Sequence, residues 1–405
     1  MNMLTIENLK NLEGKKVMVR VDFNVPLNGT AIRDDNRIVS ALPTIKALLK
    51  MNAKVVLFSH LGKIKWGKVD DAEIAKEKDK NNMVYVYPRL KELLAPTNVK
   101  FSEATSGEKL KDAIDSLKDG EVLLVQNTRY EKGESKNDPK LSADWASNFD
   151  AFVMDAFGSA HRAHASTYGV PEILKKEGKQ CALGFLMEKE VKNLDKCVHP
   201  DAHPYIAILG GFKVSDKIKV IDSLLKKCDK ILIGGAMAYT FLKALGKEVG
   251  KSPVEEDQLG YALKCYESGK IVLPYDTVCA DDFENYTVVE TVPSSEIPAG
   301  FEGLDIGPKT IGEFSKIIKE AKIIFWNGPV GVFENKDFAN GTIGICKAIT
   351  DNKKAFSVIG GGDSAAAAKQ FGFADKFSHV STGGGASLEM IENDGHLPGI
   401  DVIGE

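Results

Sequence analysis

Short apolar runs rich in β-branched residues recur along the chain, each followed by glycine or polar residues and then by a stretch with helical spacing. In the first half they are Lys16–Phe23, Lys54–Phe58, Val122–Val125 and Ala151–Met154. In the second half they are Tyr205–Leu209, Lys230–Ile233, Lys270–Leu273, Lys322–Trp326, Ala355–Ile359 and Phe377–Val380. Runs of this length without strict apolar/polar alternation suit strands buried on both faces, as in a parallel sheet. The stretches between them are amphipathic. Within Ser215–Cys228, Ile218, Ile221, Leu225 and Cys228 share one helical face, with Ser215 placed as N-cap. Pro43 suits the first turn of a helix running through Thr44–Lys50. Alternation of β and α over two long stretches predicts an α/β protein with two doubly wound parallel-sheet domains. Between them, a helical pattern over Glu188–Val198 is stopped by Pro200 and Pro204, so a connecting helix is expected rather than a loose tether.

Length agrees with this division, since 405 residues make two or three domains at roughly 100–200 residues each. Charge narrows the partners. Lys and Arg number 53 against 57 Asp and Glu, a net −4, without the basic excess of a nucleic-acid or membrane-surface binder. Six scattered cysteines (181, 197, 228, 265, 279 and 346) form no metal-binding pair or disulfide framework and read as reduced, buried thiols of a cytoplasmic protein. Met1–Lys10 lacks the features of a secretory leader, and no apolar run is long enough to cross a bilayer. Residues 63–82, dense in Lys, Asp and Glu, read as a solvated surface excursion.

In open α/β sheets, ligands gather beyond the carboxyl ends of the strands. In the first half these ends are polar and basic: Asp22-Phe23-Asn24, Ser59-His60-Leu61-Gly62-Lys63, Gln126 through Arg129, and Asp155 through Arg162, with Arg37 close behind the first strand. Converged, Arg37, His60, Lys63, Arg129 and Arg162 make a cationic hollow with Asp22 and Asn24 as orienting partners. Any one arginine reads most simply as half of a surface ion pair. Basic residues at successive strand ends favour a site for a small, highly anionic ligand.

The ends in the second half carry glycine: Gly210-Gly211-Phe212-Lys213, Gly234-Gly235-Ala236, Asn327-Gly328-Pro329, Gly360 through Ser364, and Gly383 through Gly385. Glycine lets the backbone approach a ligand, and a helix N-terminus then offers free N–H groups to phosphate. Asp363 fits either an N-cap or a Mg²⁺ ligand beside nucleotide phosphates. No P-loop, protein-kinase motif, clean G-x-G-x-x-G turn or serine elbow occurs. His199 and His203 are four apart, but neighbouring prolines spoil a helical zinc pair and leave them as loop residues. One domain thus offers cations to an anionic metabolite, and the other offers glycine turns, Lys213 and Asp363 to a Mg-nucleotide. That pairing suits phosphoryl transfer, which needs positioning and charge neutralisation more than covalent help.

The strings RVDFNVP (20–26), DNRI (35–38), ALPTI (41–45), SHLG (59–62), DAFGSAHRAHAS (155–166), GGFKVSDKI (210–218), GGAMAYTFL (234–242), DIGPKT (305–310), WNGPVGVFE (326–334), GGGDSAAA (360–367) and STGGGASLE (381–389) follow one another in order. By them the chain resembles the phosphoglycerate kinase family over essentially its whole length. The resemblance implies reversible transfer of the acyl phosphate of 1,3-bisphosphoglycerate to MgADP, giving 3-phosphoglycerate and MgATP. It also implies a cytoplasmic monomer whose two domains face each other across a cleft. The phosphoglycerate-binding domain would be 1–187 with a C-terminal return over 390–405, the connector 188–203, and the nucleotide-binding domain 204–389. The phosphoglycerate site would comprise Asp22, Phe23, Asn24, Arg37, His60, Leu61, Gly62, Lys63, Arg129 and Arg162. The nucleotide site would comprise Lys213, Lys217, Gly235, Gly307, Asn327, Glu334 (on the ribose), Gly361, Gly362, Asp363 and Ser364, with Asp363 on Mg²⁺. Arg37, Lys213 and the N–H groups around Gly384 would stabilise the transferring phosphoryl group. Lys217 also reads as a surface charge, His164 as structural, and Gly234 as a plain turn.

Two departures stand out. Where the family has Arg-Pro after SHLG, this chain has Lys63-Ile64, which keeps the charge and loses the planar fork. Ahead of Arg129, Gln126-Asn127 replaces Glu-Asn. A dehydrogenase reading requires a G-x-G-x-x-G turn with an acidic partner about 20 residues on, which is missing. A non-catalytic relative would have lost the charged set, yet Arg37, Lys213 and Asp363 all stand.

Overall fold

The computed structural model describes residues 3–404. It forms two compact units, one running to Val191 and resuming at His396, the other spanning Lys192–Gly395. Helix Phe185–Val198 passes through the boundary as one element, opening three residues before the stretch read from the sequence. Asp155 anchors its start by accepting from the Leu186 N–H at 3.1 Å.

The first unit is built on a six-stranded parallel sheet in the order Val99–Ser102, Val122–Val125, Lys54–Phe58, Lys16–Val21, Ala151–Asp155 and Gln180–Leu183. Its four inner strands are the expected apolar runs, and every residue of Lys16–Val21 after Lys16 is buried. The edge strands escaped the reading because they are less apolar: Lys100 and Phe101 are half-buried and Gln180 is exposed. Strand order reverses between Lys16–Val21 and Ala151–Asp155, so Asp22 and Ala156 leave the sheet on either side of a switch point, where such sheets hold ligands.

The second unit's parallel sheet runs Ile271–Val272, Lys230–Ile233, Tyr205–Leu209, Ile323–Asn327, Phe356–Ile359 and His379–Val380, and all six strands match runs read from the sequence, Ile323–Asn327 ending one residue past its run. Its switch point lies between Tyr205–Leu209 and Ile323–Asn327. There the two strand ends cross almost in contact. The Gly210 N–H donates to the Asn327 carbonyl at 2.9 Å, and a Cβ on Gly210 would fall 2.6 Å from the Gly328 carbonyl oxygen. A three-stranded antiparallel sheet of Asp276–Ala280, Val289–Pro293 and Glu302–Ile306 was not foreseen; its edge strand Val289–Pro293 is largely exposed.

Several local expectations change. The helix carrying Pro43 begins at Asn36, so Pro43 sits inside Asn36–Lys50 and not in its first turn. In Ile218–Lys227 the buried face is Val220, Ile221 and Leu224, followed by Cys228, while Ile218 and Leu225 are only half-buried. Ser215 is no cap there, because its N–H and hydroxyl both donate to Glu255. The C-terminal return begins at His396 and not at 390, because Gly384–Glu392 is a helix whose Ile391 carbonyl accepts from Ser223 in the second unit. Past that point, the Gly399 N–H donates to Ala160 at 2.8 Å and Lys175 holds the Gly404 carbonyl; Glu405 lies outside the described residues. His199 and His203 each pair with an aspartate, Asp195 and Asp229. All six thiols are free and buried. Among the described residues no helix is long and apolar enough to cross a membrane.

Candidate active site

In the first unit the strand ends bring the expected cations together, around a residue that sequence reasoning missed. Arg20 is the one charged residue inside the run Lys16–Val21 after its first position, and it is fully buried. Its Nε donates to Ser166 Oγ at 2.8 Å and its Nη2 meets His60 Nδ1 at 3.0 Å. Ser166 in turn donates to Glu134, also buried, at 2.7 Å. Glu134 is the near countercharge, without which a buried guanidinium would be costly. Because a guanidinium only donates, His60 Nδ1 must accept, and the ring proton sits on Nε2. Burial first, then Arg20, Arg129, Arg37 and His164, hold the His60 pKa well below its ordinary value. His60 is therefore a neutral donor, and Nε2 has no partner among the described residues. His164 is likewise lowered to about 4, mainly by burial, with Glu134 opposing and Arg20, Arg129 and Arg162 adding.

Around this pair the loops interlock. Arg37 Nη1 donates to both Asp22 carboxylate oxygens, at 2.9 and 2.8 Å. Asn24 Oδ1 accepts the Gly62 N–H at 2.8 Å, and Arg129 Nη1 donates to the Gly62 carbonyl at 2.6 Å. Gly62 has φ +60°, and a Cβ there would overlap the Asn81 amide, so both conformation and space call for glycine. Phe23 and Leu61 are buried and shape the loops instead of presenting side chains: the Phe23 N–H donates to Ser59 Oγ, and the Leu61 N–H to Asn127 Oδ1. Lys63 and Arg162 are exposed, and neither side-chain head has a hydrogen bond or ion pair among the described residues. Burial lowers the Arg129 pKa, with Arg20 and Arg162 contributing. Cations outnumber the nearby Asp22 and Glu134.

The charged stretch 63–82 is not a loose excursion. It contains helix Asp71–Lys80, capped by Asp70, and it lies against the Arg129 loop. Buried Glu77 fastens it by accepting the Lys65 N–H at 2.6 Å.

In the second unit, Gly211, Gly235 and Glu334 line one cavity of about 200 Å³, together with Phe212, Ala236, Tyr239, Pro253, Phe283, Glu302, Gly303, Leu304, Pro329, Gly331 and Val332. Its walls are largely apolar, with exposed Glu334 at its surface. Phe212 and Phe283 are 65% and 51% exposed, unusual for phenylalanine unless something flat covers them. The second Phe and Leu304 come from the unforeseen antiparallel region. Gly235 has φ +67° and lies against Gly211.

Lys217 does not point to solvent as a surface charge would: its Nζ reaches Asn327 Oδ1, and burial lowers its pKa while Asp216, Asp363 and Glu392 oppose. Asn327 Nδ2 also bonds the Gly360 carbonyl, and a Cβ on Gly361 would fall 2.6 Å from that nitrogen. Gly361 also touches Gly384, whose Cβ would meet the Gly361 Cα at 2.8 Å. The glycine turns therefore pack on each other and bring two helix starts, Gly362–Gln370 and Gly384–Glu392, side by side. The buried Ser364 hydroxyl is taken by the Gly328 N–H at 2.6 Å. Gly307 makes room for Asp276, whose carboxylate accepts the N–H groups of Lys309 and Thr310 at the start of helix Pro308–Glu320. Gly234 packs against Val330.

Asp363 is the second residue of its helix, so it is not the N-cap, and its exposed carboxylate has no hydrogen bond or ion pair among the described residues. Among the described residues no group of three or more His, Cys, Asp or Glu could hold a metal. A single free carboxylate beside helix N-termini fits Mg²⁺ that arrives on a nucleotide and takes its other ligands from phosphates and water. Lys213 is exposed, with its ammonium unpaired among the described residues.

A family model described as phosphoglycerate kinase matches residues 6–394. The chain belongs to the phosphoglycerate kinase family. The enzyme named phosphoglycerate kinase in Fusobacterium nucleatum is 54% identical over 399 residues, covering 97% of each chain. The one from Macrococcus caseolyticus is 53% identical over 402 residues, with 97% of each covered. Among solved structures, phosphoglycerate kinase from Coxiella burnetii superimposes with a TM-score of 0.86 at 35% identity, over 99% of this chain and 98% of that one. That from Pyrococcus horikoshii gives 0.82 at 32% identity, with the same coverage. The activity is accordingly that of a glycolytic phosphotransferase, moving the acyl phosphate of 1,3-bisphosphoglycerate to ADP and back. Neither a dehydrogenase nor a non-catalytic relative finds support in these comparisons.

Proposed function

We propose that the cationic end of the first unit holds the phosphoglycerate and that the glycine-lined end of the second holds the Mg-nucleotide. The observation that carries this is the concentration of positive charge about a neutral His60, where Arg20, Arg129 and Arg37 all act on its ring and Arg162 acts on Arg129. Asp22 aims Arg37, Asn24 and Arg129 fix the Gly62 turn, and His60 Nε2–H donates to the anion. On the nucleotide side, the base lies between Phe212 and Phe283, and Glu334 accepts from the ribose hydroxyls. Lys217, Asn327, Gly307 and the turn Gly361 to Ser364 shape the phosphate end. Mg²⁺, carried in on the nucleotide, would be held by Asp363, and it supplies charge neutralisation to the phosphate oxygens.

The acceptor oxygen in each direction is already ionised near neutral pH, so no general base is needed. Lys213, Arg37 and the N–H groups at Gly384 neutralise charge spreading over the transferring phosphoryl group. Transfer requires the two ligands to meet, so the reading includes a closing motion about helix Phe185–Val198. It also includes a cytoplasmic, monomeric enzyme. Turnover of MgATP with 3-phosphoglycerate, coupled to NADH oxidation by a downstream dehydrogenase, tests it for wild type beside Asp363→Ala. The reading expects activity that needs all three components and collapses in the variant. Equal activity in both would remove Asp363 as the Mg²⁺ ligand.

A further inference from the structure

The charged segment that begins at Lys63 is tied to a single point of the proposed phosphoglycerate site. Trp66 is one of three tryptophans; Trp145 and Trp326 are fully buried in the cores, whereas Trp66 is half-buried on a charged segment. Its indole Nε1 donates to the Arg129 main-chain carbonyl at 2.9 Å. The Arg129 side chain meanwhile donates to the Gly62 carbonyl at 2.6 Å. One loop, 62–66, therefore grips Arg129 by both its backbone and its guanidinium.

The grip is braced by cations. The Lys78 ammonium lies 4.9 Å from the Trp66 ring and 5.1 Å from the Tyr130 ring, and the Lys132 ammonium lies 5.0 Å from Trp66. Tyr130 donates its hydroxyl to the Lys78 carbonyl. Asn127 closes the circle: its amide donates to Leu61 and Asn81 carbonyls at 2.7 and 2.9 Å, and its Oδ1 accepts the Arg129 N–H at 3.0 Å. Two ammonium groups crowded beside an arginine loop repel each other. An electron-rich indole offsets that repulsion, because cations are attracted to its ring.

We infer that Trp66 is a positioning residue for Arg129, holding the guanidinium in register for the phosphoglycerate through the Arg129 carbonyl. This rests on Arg129 being a phosphoglycerate ligand, as proposed above. Trp66→Phe keeps an aromatic ring and deletes the N–H donor. It should raise KM for 3-phosphoglycerate about threefold to tenfold, the usual worth of one hydrogen bond, with KM for ATP and kcat within about twofold of wild type. A purely structural role would lower the melting temperature without this split.

The deciding experiment is the cycle of Trp66→Phe, Arg129→Ala and the double variant. If Trp66 acts through Arg129, the double variant shows the KM of Arg129→Ala alone. An unchanged KM in Trp66→Phe, or a further multiplicative rise in the Arg129→Ala background, overturns the inference while leaving the site intact. An unchanged KM in Arg129→Ala overturns the site reading itself, and the inference with it. Should Trp66→Phe fail to fold, Lys78→Met, which keeps an apolar stem against the Trp66 and Tyr130 rings and removes the ammonium, carries the same cycle. It should give a rise of about twofold confined to the same KM, and no rise overturns the inference.

Discussion

Arg37 gives both of its bonds to Asp22 from one nitrogen, Nη1, at 2.9 and 2.8 Å, which leaves Nη2 and Nε free to face a ligand. Asp22 is the anchored partner, its side chain 12% exposed against 41% for Arg37. An acid that aims an arginine without using up its fork is a positioning device. Asp22→Asn should therefore raise KM for 3-phosphoglycerate about threefold to tenfold, with a smaller effect on KM for ATP. Arg37→Lys, which keeps the charge and loses the planar fork, should lower kcat/KM about tenfold or more. Steady-state kinetics in the direction of ATP consumption checks both.

Gly62→Ala meets two obstacles at once, a φ of +60° and the Asn81 amide in the space of its Cβ. A cost of about 1–3 kcal/mol is expected for a non-glycine residue in that conformation, read as a lower urea midpoint. The Asn24 and Arg129 bonds to the Gly62 backbone should loosen with it, so KM for 3-phosphoglycerate should rise in the folded fraction.

His164 sets a pH dependence. Its native pKa of about 4 lies below its ordinary 6.5, so the native state refuses a proton that the unfolded chain accepts. The associated stability is present above pH 6.5 and is lost as pH falls toward 4. Asp155, raised by burial from its ordinary 3.8 to about 7 in the same unit, works the other way: its contribution is full below 3.8 and fades as pH rises from there to 7. The wild-type curve is therefore flattened, and the difference from His164→Gln isolates the histidine. Wild type should lose on the order of 1 kcal/mol relative to that variant between pH 6.5 and 4, allowing for partial solvent screening. Urea titrations at stepped pH check it, and a constant difference would remove His164 as the source.

On the other unit, Glu334→Gln should raise KM for ATP about tenfold, as expected for a charge-assisted bond to a hydroxyl, and leave KM for 3-phosphoglycerate unchanged. Phe283→Ala should act on the same constant, since Phe283 and Glu334 line one cavity.

Much of this was legible in the sequence because buried parallel strands leave unbroken apolar runs. All six strands of the second sheet and the four inner strands of the first were visible in that way. Val99–Ser102 and Gln180–Leu183 were not, because each edge strand mixes polar positions into four residues. The antiparallel sheet behind Phe283 was hidden by its largely exposed edge strand Val289–Pro293. Of the site, exposed charged residues just beyond strand ends were named from the sequence: Lys63, Arg162, Lys213 and Asp363. Arg20 was passed over, though a lone arginine inside KVMVRVDF was itself the signal of a buried, paired charge. Glu134 gave no signal, since its partner is reached only through Ser166. Trp66 was lost among charges, because composition reads a dense Lys/Asp/Glu segment as solvated and cannot see one indole turned toward a loop some sixty residues on.

The division of labour between the units is tested most directly at the exposed Lys213. The measurement is kcat for Lys213→Ala with both 3-phosphoglycerate and MgATP saturating, beside wild type of matched melting temperature. Loss of a cation that neutralises the transferring phosphoryl group should lower kcat on the order of a thousand-fold, with both KM values changed far less. A kcat within a few-fold of wild type would contradict the account, and would require the transferring charge to be met without Lys213.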